Sequence, residues 1–144
     1  MAIEAKGSHT LVVYLPSPRA DAALRALGRT SSARGGRVTV LRLVAQEPES
    51  RGCCDTRSVL WNGISRELAR EDLTRARLAL GGDAAVDLEA VAFSGRRAAD
   101  AVIRQALARD VDEVVVAGPL GPIERRRLRR KSPVPVSDYC DRGG

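Results

Sequence analysis

The sequence has few of the residues that catalytic and metal sites usually require. Its only histidine is His9, and its three cysteines, two of which are adjacent, show no C-x-x-C spacing. A zinc site of cysteine and histidine would therefore lack ligands, and a disulfide framework is not expected. Aromatic residues are also rare, the complete set being Tyr14, Trp61, Phe93 and Tyr139. This scarcity argues against recognition of single-stranded nucleic acid by base stacking.

Long apolar segments are absent as well. No stretch approaches the roughly 18 consecutive apolar residues of a membrane-spanning helix, and the N-terminus lacks a basic region followed by an apolar stretch and a cleavage site. With 144 residues, of which 44% are hydrophobic, the chain has the size of one domain with a substantial core. We therefore expect a soluble, cytoplasmic protein with one domain at residues 10–140, an N-terminal tail at 1–9 and a C-terminal tail at 141–144.

The positive charge is concentrated in one segment. Of the formal net charge of +6, the segment from Glu124 to Lys131 carries +5, from six basic residues and one acidic residue. The remaining surface is nearly balanced, which argues against a whole face that follows a nucleic-acid backbone. Three interpretations of this segment stay open: a solvated helix face, part of an anion site, and weak binding of nucleic acid.

Apolar strand segments alternate with helical segments along the chain. The predicted strands cover residues 10–15, 37–45, 86–93, 113–117 and 134–139. The predicted helices cover residues 18–32, 58–80 and 94–109, and a short basic helix begins at Pro122. This alternation predicts a five-stranded, parallel, doubly wound α/β sheet with right-handed crossovers and helices on both faces.

Local patterns add detail to these elements. Ser17 followed by Pro18 predicts a helix start, because the hydroxyl can accept a hydrogen bond from a free backbone N–H and proline suits the first helical position. The second helix is expected to bury Leu60, Ile64, Leu68, Leu73, Ala76 and Leu80, and the third to bury Ala99, Val102, Ile103, Ala106 and Leu107. Pro133 and Pro135 mark the last strand as an edge, since proline donates no ladder hydrogen bond.

The carboxyl ends of the strands define the candidate ligand site, because ligands of parallel α/β sheets bind beyond these ends. The ends carry mainly hydroxyls, backbone groups and arginines, in segments 15–17, 44–47, 94–97 and 118–121. They contain no histidine that could act as a base, no paired carboxylates and no cysteine beside a histidine. We therefore expect no catalytic residues, no metal and no enzyme activity.

The order of elements resembles the universal stress protein family. The stretches that carry the resemblance are TLVVYLPSPRADAALRAL, GGRVTVLRLV, VDLEAVAFSGRRAADAVIRQALARDVDEVVVAG and SPVPV, spread over residues 10–136. The third stretch is the most specific, because a strand, a Ser-Gly turn, an alanine-rich helix, an acidic turn and an apolar strand ending in Ala-Gly form the back half of that family. The resemblance implies a nucleotide-alpha-hydrolase-like fold with the strand order 3-2-1-4-5.

The resemblance also implies a homodimer, since family members commonly pair through the fifth strand. An exposed edge strand offers unpaired backbone groups to a second copy. The dimer contact is expected at Val134, Val136, Ser137 and Tyr139.

Family members that bind ATP carry two signatures, and this sequence departs from both. Leu15 replaces the acidic residue that follows their first strand. Gly118 and Gly121 match the start of their Gly-x2-Gly-x9-Gly motif, and a count of ten residues from Gly121 reaches Lys131, before Ser132, where the motif has its last glycine. We reject that count, because aligning RLRRKSPVPV with the family's fourth helix and Pro-x-Pro-Val segment leaves no room for the nine-residue loop, which is missing together with the last glycine. A triphosphate would lose several N–H donors there, each worth about 1.5 to 3 kcal/mol.

These features predict a universal stress protein-like, non-catalytic stress-response or signalling protein with a degenerate nucleotide site. The degenerate site comprises Ser17, Val44, Gly118, Gly121 and Ser132. No cofactor is expected, ATP being disfavoured. The alternative is a nucleotide or anion sensor with a modified pocket at the carboxyl ends of strands one and four. Its anion site would comprise Ser94, Arg96, Arg97 and Arg125, with Ser17 nearby, around free helix N-termini.

Overall fold

The computed structural model describes residues 9–34, 36–46, 56–81, 85–93 and 97–138. The elements follow in the order β1 (His9–Tyr14), α1 (Pro18–Arg34), β2 (Arg37–Ala45), α2 (Thr56–Leu80), β3 (Ala85–Phe93), α3 (Ala98–Arg109), β4 (Glu113–Ala117), α4 (Pro122–Lys131) and β5 (Val136–Asp138). The strands form one parallel sheet in the order β3-β2-β1-β4-β5. The predicted α/β class and strand order are confirmed.

The central strand β1 is buried on both faces, because successive side chains point to opposite sides of a sheet. Leu11 and Val13 pack in the core that contains α3 and α4, while Val12 and Tyr14 pack in the core that contains α1 and α2. The Tyr14 hydroxyl donates a 2.6 Å hydrogen bond to Asp21 Oδ1 in α1. Burial, together with this bond, raises the pKa of Tyr14 well above its ordinary value.

The helix α1 begins as predicted and packs closely on α2. The backbone N–H of Ala20 donates to Ser17 Oγ at 3.0 Å, so the serine caps the helix. Farther along α1, a Cβ added to Gly28 would lie 2.0 Å from the carbonyl oxygen of Leu80. The two helices therefore approach at a distance that only glycine permits.

The predicted buried stripe of α2 is wrong in its first half. Leu60, Ile64 and Leu68 are each more than half exposed, whereas the predicted residues from Leu73 onward are buried. The buried side extends from Leu73 back to Ala69. Ala69 and Leu68 are neighbours in the sequence, so their side chains point about 100° apart around the helix axis and lie on different faces. The five-residue step from Leu68 to Leu73 breaks the three- and four-residue spacing of one helix face. The prediction joined two different faces across that step.

The third helix is shorter than predicted, and of its predicted buried residues Ala99, Val102 and Ala106 are buried and Ile103 is partly buried. It begins at Ala98 rather than at Ser94, since Arg97 has the non-helical angles φ −109° and ψ 24°. Ser94 itself lies outside the described residues. Leu107, predicted to be buried, is 63% exposed, because the adjacent Ala106 occupies the buried side.

Candidate functional site

A cavity of about 410 Å³ lies at the carboxyl edge of the sheet. The lining comprises Arg42, Leu43, Val44 and Ala45 of β2, Phe93 of β3, Leu15 and Leu120 from the segments after β1 and β4, Trp61, Ser65 and Leu68 of α2, and Ala98, the first residue of α3. All of these except the serine and the arginine are apolar. The position agrees with the general rule for ligands of parallel α/β sheets, and the lining is mainly hydrophobic.

Leu15 and Gly118 lie against each other where β1 and β4 end. The Leu15 N–H donates to the carbonyl oxygen of Ala117 at 2.9 Å. A Cβ added to Gly118 would lie 2.2 Å from the Leu15 carbonyl oxygen and 2.6 Å from its Cβ, and the φ angle of Gly118 is 127°. The contact with Leu15 and the backbone angle each require glycine at this position.

The other residues of the predicted nucleotide site are mostly engaged in local structure. Val44 lines the cavity, and Gly121 is the N-cap residue of α4. Ser17 caps α1. The Ser132 hydroxyl donates to the Val134 carbonyl oxygen at 2.7 Å and accepts from the Val134 N–H at 3.2 Å, which closes the turn after α4. Of the five predicted residues, Val44 alone belongs to the described lining, and their assignment to a nucleotide stays a prediction.

Arg42 is the only charged side chain in the described lining, and its charge has a partner. Its Nε donates to Asp72 Oδ2 in α2 at 3.0 Å, and its Nη1 donates to the carbonyl oxygen of Leu43. The arginine and aspartate side chains are 23% and 17% exposed, so the pair is partly buried. Attraction between opposite charges is stronger in such a setting than in water. The cation of this cavity is therefore neutralised from within the chain.

The N-terminus of α3, part of the predicted anion site, already has a carboxylate. The Ala99 N–H donates to Glu124 Oε1 of α4 at 2.9 Å. Arg97 is exposed, and its side chain makes no capping hydrogen bond. Ser94 and Arg96, the other predicted members near this helix, lie outside the described residues. An added anion would have to compete here with the Glu124 carboxylate.

Arg125, the remaining member of the predicted anion site, joins α4 to β5. Its Nη1 lies 2.8 Å from Asp138 Oδ2, and the two side chains are 29% and 5% exposed. A buried carboxylate is costly unless a cation or donor compensates it, and Arg125 serves that role for Asp138. The anion site stays a prediction. Within the structure, Arg125 already has the Asp138 carboxylate as its partner.

The strand β5 is an edge strand, as predicted, and it is shorter than the predicted range. Val134 precedes it, and Tyr139 lies outside the described residues. The Val114 N–H of β4 donates to the Pro135 carbonyl oxygen at 2.9 Å. The Pro135 carbonyl therefore faces β4, and successive residues of a strand direct their backbone groups to opposite sides. The backbone N–H and C=O of Val136 thus face the open side of β5. Dimerisation through this side stays a prediction.

The single histidine lies at the amino edge of the sheet, opposite the cavity. His9 Nε2 lies 2.7 Å from Thr39 Oγ1, and the His9 backbone N–H donates to Asp112 Oδ2 at 2.8 Å. Burial, and next the positive charge of Arg37, lower the pKa of His9 below its ordinary value of 6.5. The imidazole is therefore neutral at neutral pH.

Two kinds of feature are absent from the described residues. No group of three or more histidine, cysteine, aspartate or glutamate side chains there is placed to hold a metal ion. No helix of those ranges is long and apolar enough to cross a membrane.

Sequence reasoning missed the contribution of α2 to the cavity. The prediction gave Trp61 no role, did not consider Ser65 and placed Leu68 in the core, but all three side chains line the cavity. The irregular step from Leu68 to Leu73 was the available signal, since it separates the buried half of α2 from a second apolar face.

Solved structures match the chain over nearly its whole length, whereas no family model and no curated protein matches it. A protein of the universal stress protein family from Burkholderia pseudomallei is 20% identical with a TM-score of 0.74, and the match covers 94% of this chain and 98% of that one. Universal stress protein UspA from Lactobacillus plantarum is 13% identical with a TM-score of 0.74, covering 94% and 99%. The universal stress protein from Archaeoglobus fulgidus in complex with dAMP is 17% identical with a TM-score of 0.59, covering 94% and 98%. The chain therefore has the universal stress protein fold.

Proposed function

We propose that this chain is a universal stress protein-like, non-catalytic protein of the cytoplasm that does not hold ATP in the usual way of that family. One observation carries the proposal. Leu15 stands where ATP-binding members have an acidic residue, and it lines a cavity that is mainly apolar. A role in stress response or signalling would then depend on a partner rather than on turnover of a nucleotide.

Charged side chains near the carboxyl edge support the proposal that no triphosphate binds there, because they are already paired within the chain. Arg42 is paired with Asp72, Arg125 is paired with Asp138, and Glu124 occupies the N-terminus of α3. A triphosphate needs many donors, and each charge-assisted hydrogen bond contributes about 1.5 to 3 kcal/mol. Micromolar affinity corresponds to about 8 kcal/mol in total. The loss of a few such bonds is therefore enough to remove micromolar binding.

Nucleotide binding is tested first on the protein as purified. The chain contains one tryptophan and two tyrosines. Its own ultraviolet absorbance is therefore weak, and a co-purified nucleotide would change the spectrum visibly. Titration calorimetry with ATP and magnesium then measures affinity directly, and we expect no saturable heat at micromolar protein concentration.

The variant Gly121→Ala tests whether any ATP binding in this titration uses the turn after β4. A Cβ added to Gly121 has no atom within 4 Å, and its φ angle is −58°, so the fold accepts alanine. The methyl group would nevertheless obstruct a phosphate that approaches the backbone of the turn. Saturable ATP binding that Gly121→Ala weakens would contradict the proposal.

A homodimer joined through β5 is part of the same proposal. It is supported by the position of β5 at the edge of the sheet and by the backbone of Val136, which points to the open side. Light scattering at micromolar concentration is expected to give the mass of a dimer. Ser137→Glu places like charges at the contact and is expected to weaken the dimer, whereas Thr74→Glu on the exposed side of α2 is not. A monomeric wild-type protein would refute the dimer.

A further inference from the structure

The cavity at the carboxyl edge presents apolar side chains to solvent. Trp61 and Leu68 line it and are each 52% exposed, and Leu15, Phe93 and Leu120 belong to the same lining. Covering apolar surface is favourable by about 25 cal/mol per Å². The volume of about 410 Å³ falls within the range of small-molecule sites, about 300 to 1,000 Å³. The cavity therefore has the size and the surface of a site for one small apolar molecule.

The charge distribution of the lining disfavours an ionised ligand. Arg42 donates to Asp72 at 3.0 Å and to the Leu43 carbonyl oxygen, so a ligand carboxylate or phosphate would compete with both acceptors. Ser65 is the other polar residue of the described lining. Its half-buried hydroxyl can donate to or accept from one small polar group.

We propose that this cavity binds one neutral, apolar small molecule with an aromatic or branched aliphatic body and at most one small polar group. Trp61 and Phe93, the two aromatic side chains of the lining, contact the body of the ligand. Ser65 bonds its polar group, which fixes the orientation. The inference rests on the proposal that ATP does not occupy this edge, and it assigns a different class of ligand to the same region.

The experiment uses N-phenylnaphthylamine, a neutral apolar dye whose emission rises in apolar surroundings. Trp61 is the only tryptophan of the chain, so energy transfer from tryptophan to the dye reports binding close to the cavity. We expect saturable binding of one dye per chain with quenching of the Trp61 emission. The anionic relative anilinonaphthalene sulfonate is titrated in parallel and is expected to bind no more tightly, because Arg42 is already paired.

Two substitutions fill the cavity from different elements, and a third is the matched control. Ala45→Phe acts from the end of β2, where the alanine is exposed, and Ser65→Phe acts from α2. Ala108→Phe makes the same change as the first variant at an exposed alanine in the last turn of α3, which lies toward the opposite edge of the sheet. We expect the two filling variants to raise the dye Kd at least about tenfold and the control to leave it unchanged. Circular dichroism verifies that each variant is folded.

The titrations separate this inference from the proposed function. The inference is overturned by a lack of saturable dye binding, by equal dye affinity in the filling variants and the control, or by tighter binding of the sulfonate than of the neutral dye. ATP titrated without dye reports on the proposed function alone. A protein that binds neither ATP nor dye would therefore retain the proposed function and lose the cavity ligand.

Discussion

Replacement of Gly118 by alanine tests whether the fold itself requires glycine at the turn after β4. The φ angle of Gly118 is 127°, a region that residues with a side chain rarely adopt. The added Cβ would also lie 2.2 Å from the Leu15 carbonyl oxygen, which belongs to the neighbouring chain segment after β1. We therefore expect Gly118→Ala to destabilise the protein in the absence of any added ligand.

The expected loss follows from two costs. Backbone strain of this kind costs about 1 to 3 kcal/mol. Relief of the steric overlap moves the Leu15 backbone, whose N–H is bonded to the Ala117 carbonyl oxygen at 2.9 Å, and a weakened hydrogen bond costs about 1 kcal/mol more. The free energy of unfolding should therefore fall by about 2 to 4 kcal/mol, which corresponds to a melting temperature lower by about 10 °C for a domain of this size.

Urea unfolding measures this loss, and Gly121→Ala is the matched comparison. Gly121 has an ordinary φ angle of −58° and no atom within 4 Å of an added Cβ. Its replacement should change stability by less than about 0.5 kcal/mol, or raise it slightly by restricting the unfolded chain. Equal stability of the two variants would refute the argument that the contact with Leu15 requires glycine.

Two further predictions concern an ion pair and the pH dependence of stability. Asp72→Ala leaves Arg42 partly buried without its carboxylate and should lower the free energy of unfolding by about 1 to 3 kcal/mol. Asp87→Ala, which removes the exposed pair with Arg37, should lower it by less than about 1 kcal/mol. Equal losses of the two variants in urea unfolding would contradict this prediction. Because the folded-state pKa of His9 is lowered, the unfolded chain binds more protons below pH 6.5, and stability should fall as the pH drops from 6.5 toward the folded pKa. His9→Gln should remove that slope in urea unfolding down to about pH 5.5, and an unchanged slope would exclude His9 as its source.

The strands were predictable because buried parallel strands are short apolar runs between turn residues. The bounds of β2 and β4 agree with the predicted ranges 37–45 and 113–117. The cap at Ser17 was predictable because its hydrogen bond to Ala20 is local. The strand order could be inferred only from the family resemblance, since periodicity along one segment carries no information about which strands are neighbours.

The buried sides of the helices were harder to predict, because apolar residues occur on more than one face. Leu60 and Ile64 in α2 and Leu107 in α3 have helical spacing with other apolar residues, yet all three are exposed. Packing instead favours small residues such as Ala69 and Ala106, which let each helix approach its neighbours closely. A spacing rule identifies apolar stripes, and the tertiary contact decides which stripe is buried.

The position of the candidate site was predictable from the sequence, but the pairing of its charged groups was not. Strand ends placed Val44 and Leu15 at the carboxyl edge from sequence alone. Contacts between distant residues decided the rest, since Asp72 neutralises Arg42 from α2 and Glu124 caps α3 from α4. Such contacts join residues about 25 to 30 positions apart, and no local pattern reveals them.

Leu15 connects the packing of the sheet with the chemistry of its carboxyl edge. Its backbone lies so close to Gly118 that the fold alone requires glycine there, while its side chain lines the cavity. A glycine at this turn is therefore not evidence for a bound phosphate, because strand packing accounts for it completely. Evidence for a ligand has to come from groups that point at the ligand. In the described lining of this edge, those groups are apolar except for Arg42, which is already paired, and the hydroxyl of Ser65, and such a lining favours a neutral ligand over a nucleotide.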